Sequence, residues 1–375
     1  MCISIGVLIV LYVLIKANFN YNKAMKSKIL IFLLLTLLTI NSCKKDKIER
    51  NYTIDDIFTN AEQNKNLRCL IVYKGNQIIK EKYFIGDSLT AHDVRSVTKS
   101  VMSTLIGIAI DKGYIESEDQ VIGNYLAPLD ISIDEAKANI KIRDLLSMSS
   151  GLEGSDLTSV SEYENWHHAQ NQLLYTLAKP LINQPEEVFA YNSGASHLLS
   201  IILTQATGMS TFQFAKKYLF EPLNIDDHYW EQDNQDNYNG SAGLCLTPHD
   251  MLKIGQIYLN KGKYNEVQIV SEEWINKVST IKISTNNMEP FGPNYGYLWW
   301  IGNAYGHDYF FANGYGGQFI VITPDLNLIV VATNNWSGVS NTITNQQWYT
   351  TLDIVINKII PLYEQSCKSN SINSE

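Results

Sequence analysis

The chain lacks the sequence features on which several large classes of protein depend. No G-x-S-x-G segment occurs in its 375 residues, which argues against the nucleophile elbow of an α/β-hydrolase. It has no H-E-x-x-H segment and no closely paired cysteines, so we expect neither a metal nor an organic cofactor. Basic residues form no cluster in the body of the chain and the formal net charge is −9, which argues against nucleic-acid binding.

Cysteines and long apolar runs are also scarce. The five cysteines have no close spacing and indicate no disulfide framework, so we expect Cys69 and Cys245 to be small buried residues. Two apolar runs lie near the N-terminus, at residues 3–15 and 29–40. The second is short for a membrane span.

The second apolar run has the organisation of a secretory signal. Met25-Lys26-Ser27-Lys28 is basic, about a dozen apolar residues follow, and small residues precede Cys43. The segment resembles a bacterial lipoprotein signal, which predicts an exported protein of the cell envelope, held at a membrane by lipidated Cys43. An uncleaved N-terminal anchor is the alternative. If Met25 is the true start, residues 1–24 are an upstream extension.

Strand patterns occur near both ends of the remaining chain, and helical patterns occur between them. A Gly75-Asn76 turn joins two β-type runs, and residues after 295 return to strand-like patterns. Ser210 and Thr247 are helix-start signals in the middle of the chain. We therefore predict an α+β fold: an antiparallel sheet built from both chain ends, flanked by helices, with a mostly helical inserted domain.

The same patterns predict the order of segments along the chain. We expect one catalytic domain, with a tail after it and two short segments before it. The predicted boundaries are a signal or upstream segment at 1–42, a tether at 43–51, the domain at 52–365 and the tail at 366–375. Within the domain, the α/β part comprises 52–112 and 286–365, and the helical insertion comprises 113–285.

A candidate nucleophile and base lie at the start of the most apolar of these helices. Ser96 and Lys99 form an S-x-x-K pattern, and the residues from Val101 to Lys112 are almost wholly apolar. A serine hydroxyl needs a base, and a lysine becomes one when burial lowers its pKa. The pattern also occurs at Ser42 and Ser279, so the pattern alone does not identify a catalytic serine. Ser96 is favoured because it begins a helix that is predicted to be buried.

Further motifs follow in a fixed order. They are Leu145-Leu146-Ser147-Met148-Ser149-Ser150-Gly151-Leu152, Phe189-Ala190-Tyr191-Asn192-Ser193-Gly194, Gly243-Leu244-Cys245-Leu246-Thr247-Pro248 and Asn313-Gly314-Tyr315-Gly316-Gly317-Gln318. With the S-x-x-K segment, this order resembles the serine β-lactamase and penicillin-binding-protein superfamily over roughly residues 55 to 362. It is most similar to the branch that contains class C β-lactamases, esterases and aminohexanoate-dimer hydrolases.

The resemblance implies roles for individual residues. Ser96 would be the nucleophile, and Lys99 with Tyr191 would take its proton and return it to the leaving group. The backbone N–H groups of Ser96 and Tyr315 would form the oxyanion hole. The alternative for the glycines around Tyr315 is a bulge between strands.

Two of the motifs depart from the β-lactamase pattern. Ser193 stands where many β-lactamases have Asn, although Asn192 could supply an amide, and Ser193 could instead cap the following helix. At Ala312-Asn313-Gly314 the cation that pairs with a substrate carboxylate is absent, while Gly314 still allows a ligand to approach the backbone closely. The resemblance makes four residues candidates for binding or supporting the substrate: Asn192, Ser193, Asn313 and Gly314. Both departures weaken a β-lactam interpretation.

Other conspicuous residues have simpler interpretations. His167 and His168 are adjacent and diverge on a helix, and we interpret His197 as a packed or rim residue. Trp166 and Trp299-Trp300 line either a pocket or the core.

We therefore predict an exported serine hydrolase that cleaves a small-molecule or short-peptide ester or amide through an acyl-enzyme on Ser96. It would contact a membrane through its lipid anchor or N-terminal segment. A β-lactamase or D,D-peptidase acting on peptidoglycan is the first alternative. A catalytically silent lipoprotein with a penicillin-binding fold is the second.

Overall fold

The structure, a computed structural model, describes residues 52–157, 160–286 and 292–364. The predicted signal, the tether up to residue 51 and Cys43 lie outside these ranges. The described residues, from Tyr52 onward, belong to one compact unit. None of the helices in the described ranges is long and apolar enough to cross a membrane.

An antiparallel sheet of eight strands forms the centre of this unit. Its strands lie in the order β2-β1-β12-β11-β10-β9-β8-β7, so the N-terminal hairpin joins the C-terminal strands where β1 pairs with β12. This arrangement confirms the predicted sheet built from both chain ends. The strands are β1 Leu67–Lys74, β2 Gln77–Tyr83, β7 Ile283–Ser284, β8 Asn294–Tyr295, β9 Trp300–Ala304, β10 His307–Gly314, β11 Gln318–Thr323 and β12 Leu328–Asn334.

Four further strands of two residues each form two separate ladders. They are β3 His92–Asp93, which pairs with β4 Cys245–Leu246, and β5 Lys263–Tyr264, which pairs with β6 Val267–Gln268. The β3–β4 ladder joins the chain just before Ser96 to the segment just before Thr247.

The described helices lie on both faces of the sheet and in the middle of the chain. They are α1 Ile54–Ala61, α2 Val97–Asp111, α3 Gly123–Leu126, α4 Glu135–Ala138, α5 Ile142–Leu146, α6 Val160–His167, α7 Gln172–Ala178, α8 Ser193–Thr207, α9 Thr211–Ala215, α10 Pro248–Leu259, α11 Glu272–Val278 and α12 Asn341–Asp353. The chain after α9 continues as a π-helix, and so does the chain after α12.

Helix α2 is buried on every side, as its composition predicts. It packs against strand β10 on one side and against helix α8 on the other, and its residues from Val97 to Ala109 are buried. Helix α10 covers strands β11 and β12 on the same face of the sheet. Helix α12 lies on the opposite face, where the Trp348 ring is 5.6 Å from that of Phe319.

Local signals placed several elements correctly. The Gly75-Asn76 turn has positive φ at both residues, and the Thr247 capping box begins helix α10. Two boundaries differ from the predictions. The residues from Tyr297 to Ile301 have a strand-like pattern, but strand β9 begins at Trp300, because Leu298 has a φ of 60° and the Gly296 N–H donates to the Trp299 carbonyl in a turn. Pro361 predicts the end of the last helix, but the helix continues through this residue, directly after a wider π turn.

Candidate active site

Ser96 lies immediately before helix α2 in a tightly held segment. Arg95, the preceding residue, has a φ of 53°, which is uncommon for a residue with a side chain. Its N–H donates to Oδ1 of Asp93 at 2.7 Å, and the same oxygen accepts the Gly243 N–H at 3.2 Å. These bonds hold the backbone before Ser96 against the chain that leads into strand β4.

Lys99 lies one helical turn after Ser96 and is buried, with 1% of its side chain area exposed. Its Nζ lies 3.1 Å from Oγ of Ser96, 3.1 Å from Oγ of Ser193 and 2.9 Å from the carbonyl oxygen of Ser241. All three partners are neutral. Burial therefore lowers the pKa of Lys99 to about 7, so that a large fraction of the side chain is a free amine at neutral pH.

Tyr191 completes the cluster from the chain just before helix α8. Its ring centre is 4.9 Å from Nζ of Lys99, and the ring stacks on Trp300 at 5.7 Å. Burial raises the pKa of Tyr191, while a hydrogen bond with Ser96 acts in the opposite direction. The phenol is therefore protonated at neutral pH, and Lys99 is the better base of the two.

The two residues after Tyr191 have different roles from each other. The Asn192 side chain caps helix α8 by accepting the Ala195 N–H at 3.0 Å. Asn192, and not Ser193, is therefore the helix cap. The Ser193 hydroxyl contacts Lys99 instead, which explains how a serine is accommodated where the β-lactamase pattern has an amide.

Asp156 is a site residue that the sequence analysis missed. Its Oδ2 accepts the Ser193 N–H at 2.8 Å, and its own N–H donates to the Tyr191 carbonyl at 2.8 Å. Burial raises the pKa of Asp156, and the charge of Lys99 lowers it. In turn, ionised Asp156 raises the pKa of Lys99, whereas Arg95 lowers it. A lone Asp in an irregular segment carries no sequence signal of this role.

The end of strand β10 forms the other side of the site. A Cβ atom at Gly314 would lie 2.3 Å from the Val94 carbonyl oxygen, so only glycine allows this strand to approach the segment before Ser96. Tyr315 follows and is 37% exposed, and its hydroxyl contacts Asn341 and Thr344 at 2.7 Å each. This close approach supports the oxyanion-hole role of the Ser96 and Tyr315 backbones, which stays a prediction.

Asn313 faces away from the cluster. Its Oδ1 accepts a hydrogen bond from Nε1 of Trp348 at 2.7 Å, on the face of the sheet that helix α12 covers. Because neighbouring residues of a strand point to opposite faces, this orientation is set by the register of β10. The structure therefore places the Asn313 carboxamide apart from the side chains of Ser96 and Lys99.

The remaining candidates are mainly packing residues. Trp299 is fully buried and its Nε1 donates to the Tyr258 hydroxyl at 3.2 Å, and Trp166 is buried against Thr176. Cys69 and Cys245 are free thiols, of which only Cys69 is fully buried. In residues 52–157, 160–286 and 292–364, no group of three or more His, Cys, Asp or Glu side chains is placed to hold a metal ion.

Comparisons with known proteins found relatives in sequence and in structure. The 6-aminohexanoate-dimer hydrolase of Paenarthrobacter ureafaciens is 22% identical over 289 residues, which cover 72% of each protein. The structure of the octameric penicillin-binding protein homologue from Pyrococcus abyssi aligns with a TM-score of 0.64 at 20% identity, over 81% of this chain and 76% of that one.

A second solved structure shows the same fold. EstCE1, a hydrolase with promiscuous acyltransferase activity, aligns with a TM-score of 0.62 at 16% identity, over 79% of this chain and 97% of that one. The family model described as Beta-lactamase matches residues 69–348, well over half of the sequence. The chain therefore belongs to the β-lactamase family, whose fold is that of the serine β-lactamases and penicillin-binding proteins.

Proposed function

We propose that this protein hydrolyses an ester or amide bond through an acyl-enzyme on Ser96. The observation that carries the proposal is the buried Lys99 amine, which lies 3.1 Å from the Ser96 hydroxyl oxygen and has a pKa of about 7. A general base works best when its pKa is near the operating pH. Lys99 meets this requirement without a metal or a histidine.

Lys99 would begin the reaction. Its neutral amine has two N–H bonds and one lone pair, and the Ser241 carbonyl can only accept a hydrogen bond. If the second N–H donates to Ser193, the lone pair faces the Ser96 hydroxyl. Lys99 would then take the proton as Oγ forms its bond to the substrate carbonyl carbon.

Tyr191 would complete acylation as the proton donor. Its phenol gives a proton to the leaving alcohol or amine as the scissile bond breaks, and Lys99 replaces that proton. The Ser96 and Tyr315 N–H groups would bind the oxyanion that forms between these steps. In the second half-reaction, a water attacks the acyl carbon and gives its proton to the same pair. The bond between the acyl carbon and Oγ of Ser96 then breaks, Oγ takes up that proton, and the acid is released.

The substrate class rests on two observations. No cation stands at Ala312-Asn313-Gly314 to pair with a terminal carboxylate. One relative is named 6-aminohexanoate-dimer hydrolase, and a structural relative is named a hydrolase with promiscuous acyltransferase activity. The missing cation argues against a D,D-peptide, and the two names support an ester or amide, with β-lactams as the second candidate because of the family.

A labelling experiment tests the nucleophile. A fluorophosphonate probe should label the wild-type protein and fail to label the Ser96→Ala variant. Ser279→Ala is the matched control, because Ser279 begins another S-x-x-K segment and should be dispensable. Equal labelling of the wild type and Ser96→Ala would exclude the proposal.

A substrate screen then narrows the reaction. Short p-nitrophenyl esters, aminohexanoate amides, D-amino-acid peptides and a fluorescent penicillin would be compared on wild type and Ser96→Ala. We expect Ser96-dependent turnover of esters or amides. A stable penicillin adduct or fast penicillin turnover, with no ester or amide hydrolysis, would support the β-lactamase or D,D-peptidase alternative.

We also propose that the protein is exported and lipid-anchored through Cys43. The basic residues, apolar run and small residues before this cysteine support the proposal. Radiolabelled palmitate should label the protein expressed in a bacterium and should not label Cys43→Ala. Equal labelling, or recovery of both forms in the cytoplasm, would contradict it.

A further inference from the structure

A buried His–Asp pair involves helix α8, the helix that also carries Ser193. The side chains of His197 and Asp233 are fully buried, with Nε2 of His197 3.1 Å from Oδ2 of Asp233. His197 lies one turn after Ser193 on helix α8, and Asp233 belongs to an irregular segment that reaches Gly243. The mechanism above uses neither residue.

The contacts of His197 define its protonation state. The Gly240 N–H donates to Nδ1 at 3.2 Å, so Nδ1 is the acceptor. The hydrogen must then lie on Nε2, where it is donated to Asp233. The other carboxylate oxygen of Asp233 accepts the N–H groups of Gln235 and Asn237 at 2.8 and 2.9 Å. The pair is thus a neutral imidazole and a fully bonded carboxylate.

The pair ties the 233–243 segment to helix α8. A Cβ atom at Gly240 would lie 2.6 Å from the Ser196 carbonyl oxygen, so the segment touches the helix backbone directly. The next residue is Ser241, whose N–H and hydroxyl both donate to Oδ1 of Asn239, at 2.9 and 2.8 Å. Its carbonyl is the 2.9 Å partner of Lys99.

We propose that His197, oriented by Asp233, is a positioning residue that holds the Ser241 carbonyl against Lys99 and so directs the Lys99 lone pair at Ser96. The proposal rests on the function proposed above. Two of the three Lys99 contacts involve chain that His197 connects. Ser241 lies in the 233–243 segment, and Ser193 is on the same helix as His197. If the Ser241 carbonyl moved away, the amine could rotate and donate a hydrogen to Ser96 instead of accepting one.

Two substitutions at His197 separate positioning from stability. Asn places an acceptor near the position of Nδ1 and keeps the Gly240 bond, whereas Leu removes the acceptor. Asn is smaller than His and does not replace the N–H that His197 donates to Asp233, so the melting temperature of the His197→Asn variant should fall. We expect His197→Leu to lower the maximal rate of fluorophosphonate acylation, kinact, about tenfold or more with KI within about twofold. His197→Asn should stay within about threefold of the wild-type kinact.

Two further variants serve as control and second test. Leu203→Ala removes buried volume farther along helix α8, so its melting temperature should fall while kinact is unchanged. Gly240→Ala displaces the segment with the His–Asp pair intact, and should lower kinact as His197→Leu does. This variant keeps the test open if His197→Leu does not fold.

The outcomes distinguish the positioning role of His197 from the proposed hydrolase function. Wild-type kinact in His197→Leu or Gly240→Ala, or an equal loss in His197→Asn and His197→Leu, would overturn the positioning role. Labelling of Ser96→Ala as strong as that of the wild type would instead overturn the nucleophile assignment.

Discussion

The two sides of the active site are built differently. On the proton-transfer side, Lys99 and Tyr191 are buried and every polar contact of Lys99 is with the protein. On the side formed by strand β10, Tyr315 is more than one-third exposed, and its hydroxyl contacts only residues of helix α12. We expect the buried side to determine the proton transfers, and the more exposed side to tolerate different substrates.

The two sides should therefore respond differently to substitution. Burial sets the pKa of Lys99, so replacing its surroundings would affect every substrate alike. Replacing an exposed residue near Tyr315 affects only the molecules that touch it.

The largest effect should come from Lys99→Met. Methionine matches the length of the lysine chain and suits the apolar surroundings, so the fold should be kept. We expect kcat for a p-nitrophenyl ester to fall about 10³- to 10⁴-fold, because the general base is lost. An unchanged melting temperature would exclude unfolding, and a loss below tenfold would show that another group is the base.

Tyr191→Phe should cost about 10²-fold in kcat for alkyl esters or amides, whose leaving groups need a proton. With a p-nitrophenyl ester the loss should be smaller, since p-nitrophenolate leaves as an anion. Measuring kcat for both substrates tests the role of the phenol. Equal losses on both would mean that Tyr191 acts before bond cleavage, as part of the base.

A smaller effect is expected from Asp156→Asn. Its negative charge raises the pKa of Lys99, so its removal should lower that pKa and move the acid limb of the kcat/KM profile to lower pH. At pH 6 the variant should keep roughly two- to threefold more of its maximal activity than the wild type.

Two charge variants control the Asp156 experiment. Arg95 lowers the pKa of Lys99, so Arg95→Gln should move the acid limb to higher pH. Glu153→Gln removes a charge from an exposed residue of the same segment and should leave the profile in place. An equal shift in Asp156→Asn and Glu153→Gln would show that net charge matters and position does not.

The smallest effect should come from Tyr315→Phe. The backbone N–H that we place in the oxyanion hole is retained, and only the contacts with Asn341 and Thr344 are lost. We expect kcat to change less than about threefold, within the range of a surface hydrogen bond. A loss near that of Tyr191→Phe would show that the two sides of the site are equally constrained.

Much of the fold was predictable because its signals are local. The Gly75-Asn76 turn, the Thr247 capping box and the apolar helix after Ser96 are each encoded within a few residues. The structure also brings Ser96, Lys99 and Tyr191 together, as the order of motifs predicts. The beginning of strand β9 was less predictable, because a tertiary turn buries aromatic residues that have strand-like propensity.

The supporting residues of the site could not be predicted for a different reason. Asp156, Ser241 and Asp233 lie in irregular segments, where no periodicity relates sequence position to direction. Ser241 is 142 residues from Lys99 and contributes a backbone carbonyl, which every residue type has. Only the folded arrangement shows which carbonyl lies against the amine.

The buried Lys99 also affects how the free energy of folding depends on pH. Between about pH 7 and its ordinary pKa of 10.5, Lys99 is neutral in the folded chain and charged in the unfolded chain. The unfolded state then binds one more proton, so this residue makes the protein more stable as pH rises through that window, by about 1 kcal/mol per pH unit. Below pH 7 both states are charged, and the folded state bears the full cost of burying an ammonium group. Acid would therefore protonate the proposed base and weaken the fold at the same residue, which would couple activity to stability.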